Sequence, residues 1–160
     1  MAGDIFLNFE GGDVEIKGES TDESHAEWVD VESFSLGFNQ AGTFGTGGGG
    51  GAGKVQGSDL SISKKVDAAT PAILKAITTG AHIDTVTLEV RKAGGEQIVY
   101  YKVVLSHALI SSTNTGGGGD MLSEQLSLNY AKIAVTYFPQ TEAGKQGAAK
   151  ETEWDFSKNK

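Results

Sequence analysis

A glycine-rich run over residues 47–54 has the residue types that come closest to a recognisable chemistry. Gly48, four further residues and then Gly53-Lys54 match the phosphate-binding loop of nucleotide-binding proteins, but Val55 stands where that motif requires a magnesium-binding Ser or Thr. A phosphate-binding loop also leads into a helix, whose N-terminal amides complete the anion site. Here residues 55–63 alternate polar and apolar side chains, which is typical of a β-strand. We therefore interpret the run as a flexible loop between strands and not as a nucleotide site.

The three histidines do not predict a metal site. His25, His82 and His107 each stand without another histidine or a carboxylate at a ligand spacing that sequence alone would show. His107 follows the alternation of Val103 and Leu105, which predicts a partly buried, hydrogen-bonded ring. The chain has no cysteine, which excludes disulfides and zinc–thiolate sites. No metal ligand and no cofactor-binding residue is predicted.

No set of residues nominates a catalytic site either. The serines lack a Gly-x-Ser-x-Gly nucleophile elbow, and Ser106 and His107 are strand neighbours that point to opposite faces. A pair of carboxylates for hydrolysis could be assembled only in space, and nothing selects a pair. We predict that the protein is not an enzyme. The main acidic cluster is interpreted as solvated surface and comprises Glu19, Asp22, Glu23 and Glu27.

Length and charge exclude further classes of protein. The 160 residues suit one domain spanning residues 1–160, and the formal net charge of −8 argues against nucleic-acid binding, because that affinity needs clustered Lys and Arg. No apolar run is long enough to enter and cross a bilayer, and the N-terminus lacks the basic start of a secretory signal. We expect a protein made in soluble form in the cytoplasm and exported, if at all, by a machine that handles folded proteins.

The apolar pattern predicts a mainly β fold, a β-barrel of antiparallel strands. In residues 26–39 the apolar positions are odd up to Val31 and even from Phe34, and residues 122–138 show the same change of phase. A strand can change phase only at a bulge or where it covers a second partner. A hairpin is predicted from residues 84–92 and 97–111, and a short closing strand from residues 153–157.

One short side helix is predicted over residues 71–79. Thr70 is suited to the N-cap, Pro71 to the first helical position and Gly80 to the C-terminal stop. The glycine tracts 47–53 and 116–119 are predicted to be long loops within the single domain, since neither flank holds enough apolar residues to fold alone.

The strand around Phe34 has one apolar face and one face of short polar residues. The second face comprises Ser33, Ser35, Gly37 and Asn39. Such a face is either the ordinary outer surface of a barrel strand or a smooth polar wall past which another molecule slides or to which it binds weakly.

Several short segments, taken in order along the chain, resemble one family. They are His25-Ala26-Glu27 before Asp30-Val31, the strand containing Ser35, the glycine run ending Gly53-Lys54-Val55, Asp59-Leu60-Ser61, Thr70-Pro71, residues 91–96, and the second glycine tract after Ser111-Ser112. Each is weak alone, but in series they cover nearly the whole chain. They resemble the Hcp (haemolysin-coregulated protein) family, the tube subunits of bacterial type VI secretion systems.

The resemblance implies a barrel that assembles as a homohexameric ring around a wide pore. Rings of the family stack into the inner tube of a contractile injector, surrounded by a sheath and capped by a spike, and the tube carries small effector proteins out of the cell. By this resemblance Ser35 matches a pore-facing position that contacts cargo, with Ser33, Gly37 and Asn39 on the same wall. The glycine run is expected to contact the next ring or the sheath, through Phe44, Gly47, Gly48, Gly49, Gly50, Gly51, Gly53 and Lys54.

Two alternatives stay open at this point. A monomeric β-barrel module that binds a small ligand or glycan would share the fold, and a carboxylate-dependent hydrolase would need a catalytic pair that the sequence does not indicate. A phage tail-tube subunit would share the tube mechanism.

Overall fold

A computed structural model describes residues 3–42, 54–93 and 97–160. These residues form ten strands and one helix. The elements are β1 (Asp4–Glu10), β2 (Val29–Val31), β3 (Ser33–Ser35), β4 (Phe38–Asn39), β5 (Gln56–Gly57), β6 (Leu60–Lys65), α1 (Thr70–Thr79), β7 (Ile83–Arg91), β8 (Val99–Gly118), β9 (Met121–Tyr137) and β10 (Lys150–Asp155).

Eight strands form one antiparallel sheet that closes almost completely on itself. Seven follow the order β2-β1-β7-β8-β9-β6-β3, β10 pairs with β9, and β4 and β5 form a separate ribbon. β2 and β3 lie at opposite ends of the order, yet Glu32 alone separates them in the chain. The Glu32 N–H donates to the carbonyl oxygen of Ser63 at 2.8 Å, which holds this seam against β6. The predicted mainly β, barrel-like fold is therefore confirmed.

Both predicted changes of phase occur where a strand changes partner. At Glu32 the chain leaves β1, which pairs with β2, and joins β6, which pairs with β3. Along β9, residues 123–128 pair with β6 and residues 132–137 pair with β10. A second strand partner explains why each strand buries first one set of positions and then the other.

The side helix begins at Thr70 and ends at Thr79, so its predicted position is confirmed. Gly80 follows in the left-handed conformation with φ of 64°, and its N–H caps the carbonyls of the last turn. The prediction that Thr70 is the N-cap was wrong: Ala69 occupies that position and makes no side-chain cap bond. The Thr70 hydroxyl instead accepts a hydrogen bond from the N–H of Asp67, because the preceding loop folds back as a tight turn.

The core fills the space inside the sheet and under α1. Its most deeply buried side chains include Leu7, Leu60, Ile73, Ile83, Val86, Leu88, Val103, Leu105 and Leu128. α1 contributes Ile73 and Ala76 and packs against β8.

Two further predictions need correction. His107 is exposed, because its positive φ of 54° interrupts the alternation of β8 and gives the inward position to Ala108. Gly116–Gly118 end β8 as strand residues and not as a long loop, since they pair with residues 121–123 of β9. Most of the turn of the predicted hairpin, residues 94–96, lies outside the described residues.

Candidate functional site

One face of the sheet carries two rows of short, uncharged polar side chains across four adjacent strands. The first row is Ser35, Ser61, Ser127 and Ser112, and the second row is Ser33, Ser63, Gln125 and Asn114. Each residue lies directly opposite the next in the register of β3, β6, β9 and β8. We call these eight residues the hydroxyl wall.

The hydroxyl wall forms a shallow groove of about 380 Å³. The alternate residues of the same strands point the other way, and Ile62 and Leu126 are buried in the core. Period-two alternation therefore separates an apolar inner face from a polar outer face. Since none of the eight side chains carries a charge, the wall offers hydrogen bonds without an electrostatic preference.

A β-bulge adds a hydroxyl to the end of the first row. The register of β8 against β9 shifts between Ile110 and Ser112, so that Ser111 and Ser112 both reach Ser127. The Oγ atoms of Ser111 and Ser127 are 2.9 Å apart, and those of Ser112 and Ser127 are 2.5 Å apart. Ser111 also donates to Asp59 at 2.5 Å, so these hydroxyls are held in place by one another.

The structure brings together part of the predicted cargo contact. Ser33 and Ser35 line the hydroxyl wall, whereas Gly37 and Asn39 do not line its groove. Gly37 instead exchanges two hydrogen bonds with Ser58, and Asn39 pairs with Gln56 in the small β4–β5 ribbon. Their common alternation with Ser35 ends at Leu36, where the chain leaves the main sheet.

The predicted ring-stacking residues fall almost wholly outside the described chain. Phe44 and the glycines from Gly47 to Gly53 are not described, and only Lys54 is, with an exposed side chain. Ser61, Ser127 and Ser112 were not predicted as wall residues. The sequence does show serines at alternate positions of predicted strands. Placing these three in one row also requires the register between strands that are far apart in the chain.

A second groove lies on the other half of β9. It also measures about 380 Å³ and is lined mainly by apolar residues: Phe38, Gln40, Val55, Ile133, Val135, Thr152, Glu153, Trp154 and Phe156. We call it the aromatic groove. Phe38 is 48% exposed and stacks on Phe156 with ring centroids 6.4 Å apart. The indole N–H of Trp154 is buried and has no acceptor among the described residues.

A buried ion cluster lies behind the hydroxyl wall. Lys64 is fully buried, and its Nζ lies 2.6 Å from Glu124 and 3.0 Å from Asp67. Lys64 and Glu124 are opposite each other in the β6–β9 register, so their side chains point inward while the serines beside them point outward. Burial of the charges is tolerated because each is paired.

A second polar cluster joins the loop before β2 to β7. His25 is 3% exposed, and its two ring nitrogens each lie 2.8 Å from a carboxylate, of Asp22 and of Glu89. Arg91 donates to Asp22 at 2.8 Å and to Asp4 at 2.7 Å. The interpretation of Asp22 as solvated surface is therefore wrong, because two cationic or donor side chains converge on it.

This cluster also lowers the pKa of one of its carboxyl groups. The hydrogen bond from His25, and then that from Arg91, lower the pKa of Asp22 from 3.8 to about 2. The Phe6 ring stacks on His25 with centroids 4.1 Å apart and excludes water from one side of the imidazole. These contacts have the character of a structural clamp, since the cluster opens into none of the grooves described above.

No group of three or more His, Cys, Asp and Glu side chains is placed to hold a metal ion within residues 3–42, 54–93 and 97–160. No helix in the described part of the chain combines the length and apolar character needed to cross a membrane.

Comparison with known proteins identifies the family. The family model for the type VI secretion system effector Hcp matches residues 6–137. Protein hcp1 of Pseudomonas aeruginosa strain PAO1 is 44% identical over 163 residues, covering 99% of this chain and 98% of the relative.

Solved structures agree with the sequence comparisons. A structure described as a type six secretion system protein superposes with a TM-score of 0.90 at 27% identity and covers 99% of both chains. Hcp1 from Salmonella typhimurium superposes with a TM-score of 0.83 at 28% identity, covering 100% of this chain and 99% of the other. The chain therefore belongs to the Hcp family of type VI secretion system proteins.

Proposed function

We propose that this protein is a structural tube subunit of a type VI secretion system, forming hexameric rings that stack into the inner tube. The observation that carries the proposal is the hydroxyl wall, in a member of the Hcp family. A pore that releases protein cargo needs a lining that is wetted and offers many weak hydrogen bonds. Eight short uncharged side chains on four adjacent strands have that character.

The edges of the wall support assembly into a ring. β3 ends the strand order on one side, and β8 beyond Ala108 has β9 as its only sheet neighbour among the described residues. Unpaired edges are templates for strand pairing between chains. In a cyclic oligomer one copy would present the β3 edge and the next the β8 edge, which would extend the wall around the pore.

Native mass spectrometry and electron microscopy of the purified protein test the ring. The expected result is a hexamer and ring-shaped particles. A strictly monomeric protein over a wide concentration range, with no ring under any condition, would overturn the proposal.

The wall is proposed to hold small effector proteins while the tube is assembled. Ser35 and Ser33 lie in it, and Gly37 and Asn39 are proposed to extend the same contact beyond its groove. Ser35→Glu places a bulky charge in a row of neutral hydroxyls, so we expect loss of effector retention with hexamers intact. Thr78→Glu on the exposed face of α1 is the matched control. Unchanged effector binding in Ser35→Glu would remove Ser35 from the contact.

The glycine run is proposed to join stacked rings or to face the sheath. Deleting residues 45–52 should leave hexamers intact and impair tube assembly and secretion. Loss of the hexamer itself would show that the run acts within one ring. The resemblance also leads us to propose sheath and spike proteins as partners, assembly in the cytoplasm and export without a cleaved signal peptide. Secretion that persists when the sheath is removed would contradict this route.

One observation favours a second candidate function. The aromatic groove has the volume and apolar lining of a small-ligand site, as a monomeric module binding a ligand or glycan would require. In the tube subunit, the same groove would contact a neighbouring subunit or another protein of the secretion system. The same measurement of oligomeric state separates the two, since the module is expected to remain a monomer.

A further inference from the structure

Two histidines that are 25 positions apart in the chain come together on the surface. His82 lies in the link between α1 and β7, and His107 lies in β8 beside the end of β7. The Nε2 atom of His82 is 3.3 Å from the Nδ1 atom of His107, and the two ring centroids are 5.4 Å apart. The hydroxyl wall, the aromatic groove and the His25 cluster include neither ring.

The other nitrogen of His82 faces a carboxylate. Its Nδ1 lies 3.2 Å from Oδ1 of Asp84. A proton on Nδ1 shared with Asp84 leaves the lone pair on Nε2, which is the nitrogen that faces His107. This carboxylate–imidazole arrangement is the one that orients metal-binding histidines in proteins.

The backbone holds His82 in this position. Its N–H donates to a carboxylate oxygen of Asp13 at 3.2 Å, and its carbonyl accepts from the N–H of Asp13 at 3.1 Å. His82 and its ring therefore belong to a fixed corner of the fold, although the side chain is 48% exposed. An ion in solution has free access to a ring held in this way.

His107 reaches its partner through an unfavourable backbone conformation. Its φ of 54° lies in the left-handed region, which side-chain-bearing residues rarely adopt. In a regular strand the ring of residue 107 would point inward with Val103 and Leu105, whereas the positive φ turns it outward. Backbone strain of this kind is retained where the surrounding structure has a use for the resulting side-chain direction.

We propose that His82 and His107 form a surface site for a divalent transition-metal ion, Zn²⁺ or Cu²⁺, bound through His82 Nε2 and His107 Nδ1. Two nitrogens that bind one tetrahedral ion at ~2.0–2.1 Å are about 3.3 Å apart. The two nitrogens stand at 3.3 Å before any ion is present. That distance is longer than the ~2.9–3.0 Å that is usual for an N–H···O hydrogen bond.

The remaining ligands come from water. No third protein ligand completes a cluster within the described ranges, so two imidazoles supply the protein side of the site. Imidazole nitrogens suit Zn²⁺ and Cu²⁺ and are poor ligands for Mg²⁺ and Ca²⁺. On binding, His107 gives up the proton on Nδ1 and carries one on Nε2 instead, so it stays a neutral imidazole and both facing lone pairs point to the metal.

Titration calorimetry and NMR with metal-free protein test the site, using Zn²⁺, Cu²⁺ and Mg²⁺ salts as probes. We expect one Zn²⁺ or Cu²⁺ per chain, tighter binding of Cu²⁺ than of Zn²⁺, and no Mg²⁺ binding. The imidazole resonances of His82 and His107 should shift, while those of His25 should not, because both of its nitrogens are occupied by carboxylates.

Variants assign the ligands. His82→Gln and His107→Asn should each weaken binding at least tenfold; asparagine tolerates a positive φ, so the second variant keeps the strand geometry. Asp84→Asn should weaken binding about tenfold through loss of orientation. Asp120→Asn, in the β8–β9 turn, should leave it unchanged. Wild-type affinity in the double variant His82→Gln/His107→Asn, or metal-induced shifts confined to His25, would overturn the proposal.

Discussion

The two halves of β9 support two grooves of equal volume and opposite chemistry. On the first half, the hydroxyl wall fills its surface with serines that bond to one another, as Ser127 does with Ser111 and Ser112. On the second half, the aromatic groove leaves Phe38 half exposed and the Trp154 N–H without an acceptor among the described residues. The Ser127 hydroxyl of the wall has hydrogen-bond partners within one chain. The groove instead exposes aromatic surface and buries an N–H that has no acceptor among the described residues. In the proposed tube, the wall would therefore suit a molecule that passes it, and the groove would suit a lasting contact.

Charge pairs give the largest expected contrast between the two halves. Lys64 and Glu124 join β9 to β6 and are 0% and 1% exposed, whereas Lys132 and Glu153 join β9 to β10 at 3.5 Å and are 39% and 57% exposed. Lys64→Met leaves a buried carboxylate unpaired and should lower the free energy of unfolding by about 3–5 kcal/mol. Lys132→Met should lower it by less than about 1 kcal/mol. Urea denaturation of both variants measures the contrast.

The double variant Lys64→Met/Glu124→Met completes this test. Removing both charges should restore part of the stability lost in Lys64→Met, because Glu124 is then no longer a buried unpaired charge, while Asp67 still lacks its Lys64 partner. A double variant as unstable as the single one would show that the loss is one of packing and not of pairing.

Alanine substitutions at two glycines compare packing near the aromatic groove with packing near the hydroxyl wall, with smaller expected changes in stability. A Cβ at Gly57 would meet Phe156 and Tyr130 at 2.9 Å and Phe38 at 3.1 Å, so Gly57→Ala should destabilise the groove side by about 1–3 kcal/mol. A Cβ at Gly116, on the hairpin that continues the wall, would meet nothing within 4 Å. Gly116→Ala should therefore be neutral or slightly stabilising. Equal thermal shifts for the two variants would contradict the contrast in packing.

The His25 cluster, which belongs to neither groove, should make the stability of the fold depend on pH in acid. Because its pKa is lowered from 3.8 to about 2, Asp22 contributes stability that is fully present above about pH 4 and is lost as the pH falls through about 2. Asp22→Asn should lower stability at neutral pH by on the order of 1 kcal/mol, reduced by the partial exposure of the carboxylate. The gap between wild type and variant in urea titrations should close between pH 4 and pH 2. A gap independent of pH would mean that the carboxylate charge is not responsible.

The smallest effect is expected for the wall itself. Ser127→Ala removes the hydroxyl shared by Ser111 and Ser112, yet water can replace it at this accessible site. The expected change in the free energy of unfolding is within about 0.5 kcal/mol. Calorimetric unfolding measures it, and a loss above 2 kcal/mol would show that the row of serines is structural and not available for contacts.

The sequence predicted features that follow from the local alternation of apolar and polar residues. It did not predict features that depend on pairing between strands far apart in the chain. The changes of phase near Glu32 and Tyr130 predicted a bulge or a second partner along each strand, because burial on one face leaves a period-two signature. Ser61 and Ser127 could not be placed opposite each other, since register is fixed by contacts far apart in the chain. His107 was misplaced because the alternation of Val103 and Leu105 gave no sign of the positive φ that ends it. Asp22 was misplaced because Arg91 reaches it from another strand.

The seam at Glu32 makes the folding of this barrel a late and non-local event. β1 pairs with β7, where Leu7 lies opposite Leu88, so this pairing joins residues far apart in the chain. β3 pairs with β6, which itself pairs with β9. At a synthesis rate of ~5–20 residues per second, the first three strands leave the ribosome several seconds before β7 exists. We expect the nascent N-terminal segment to depend on chaperones in that interval, and closure at Glu32 to be the step that ends the dependence.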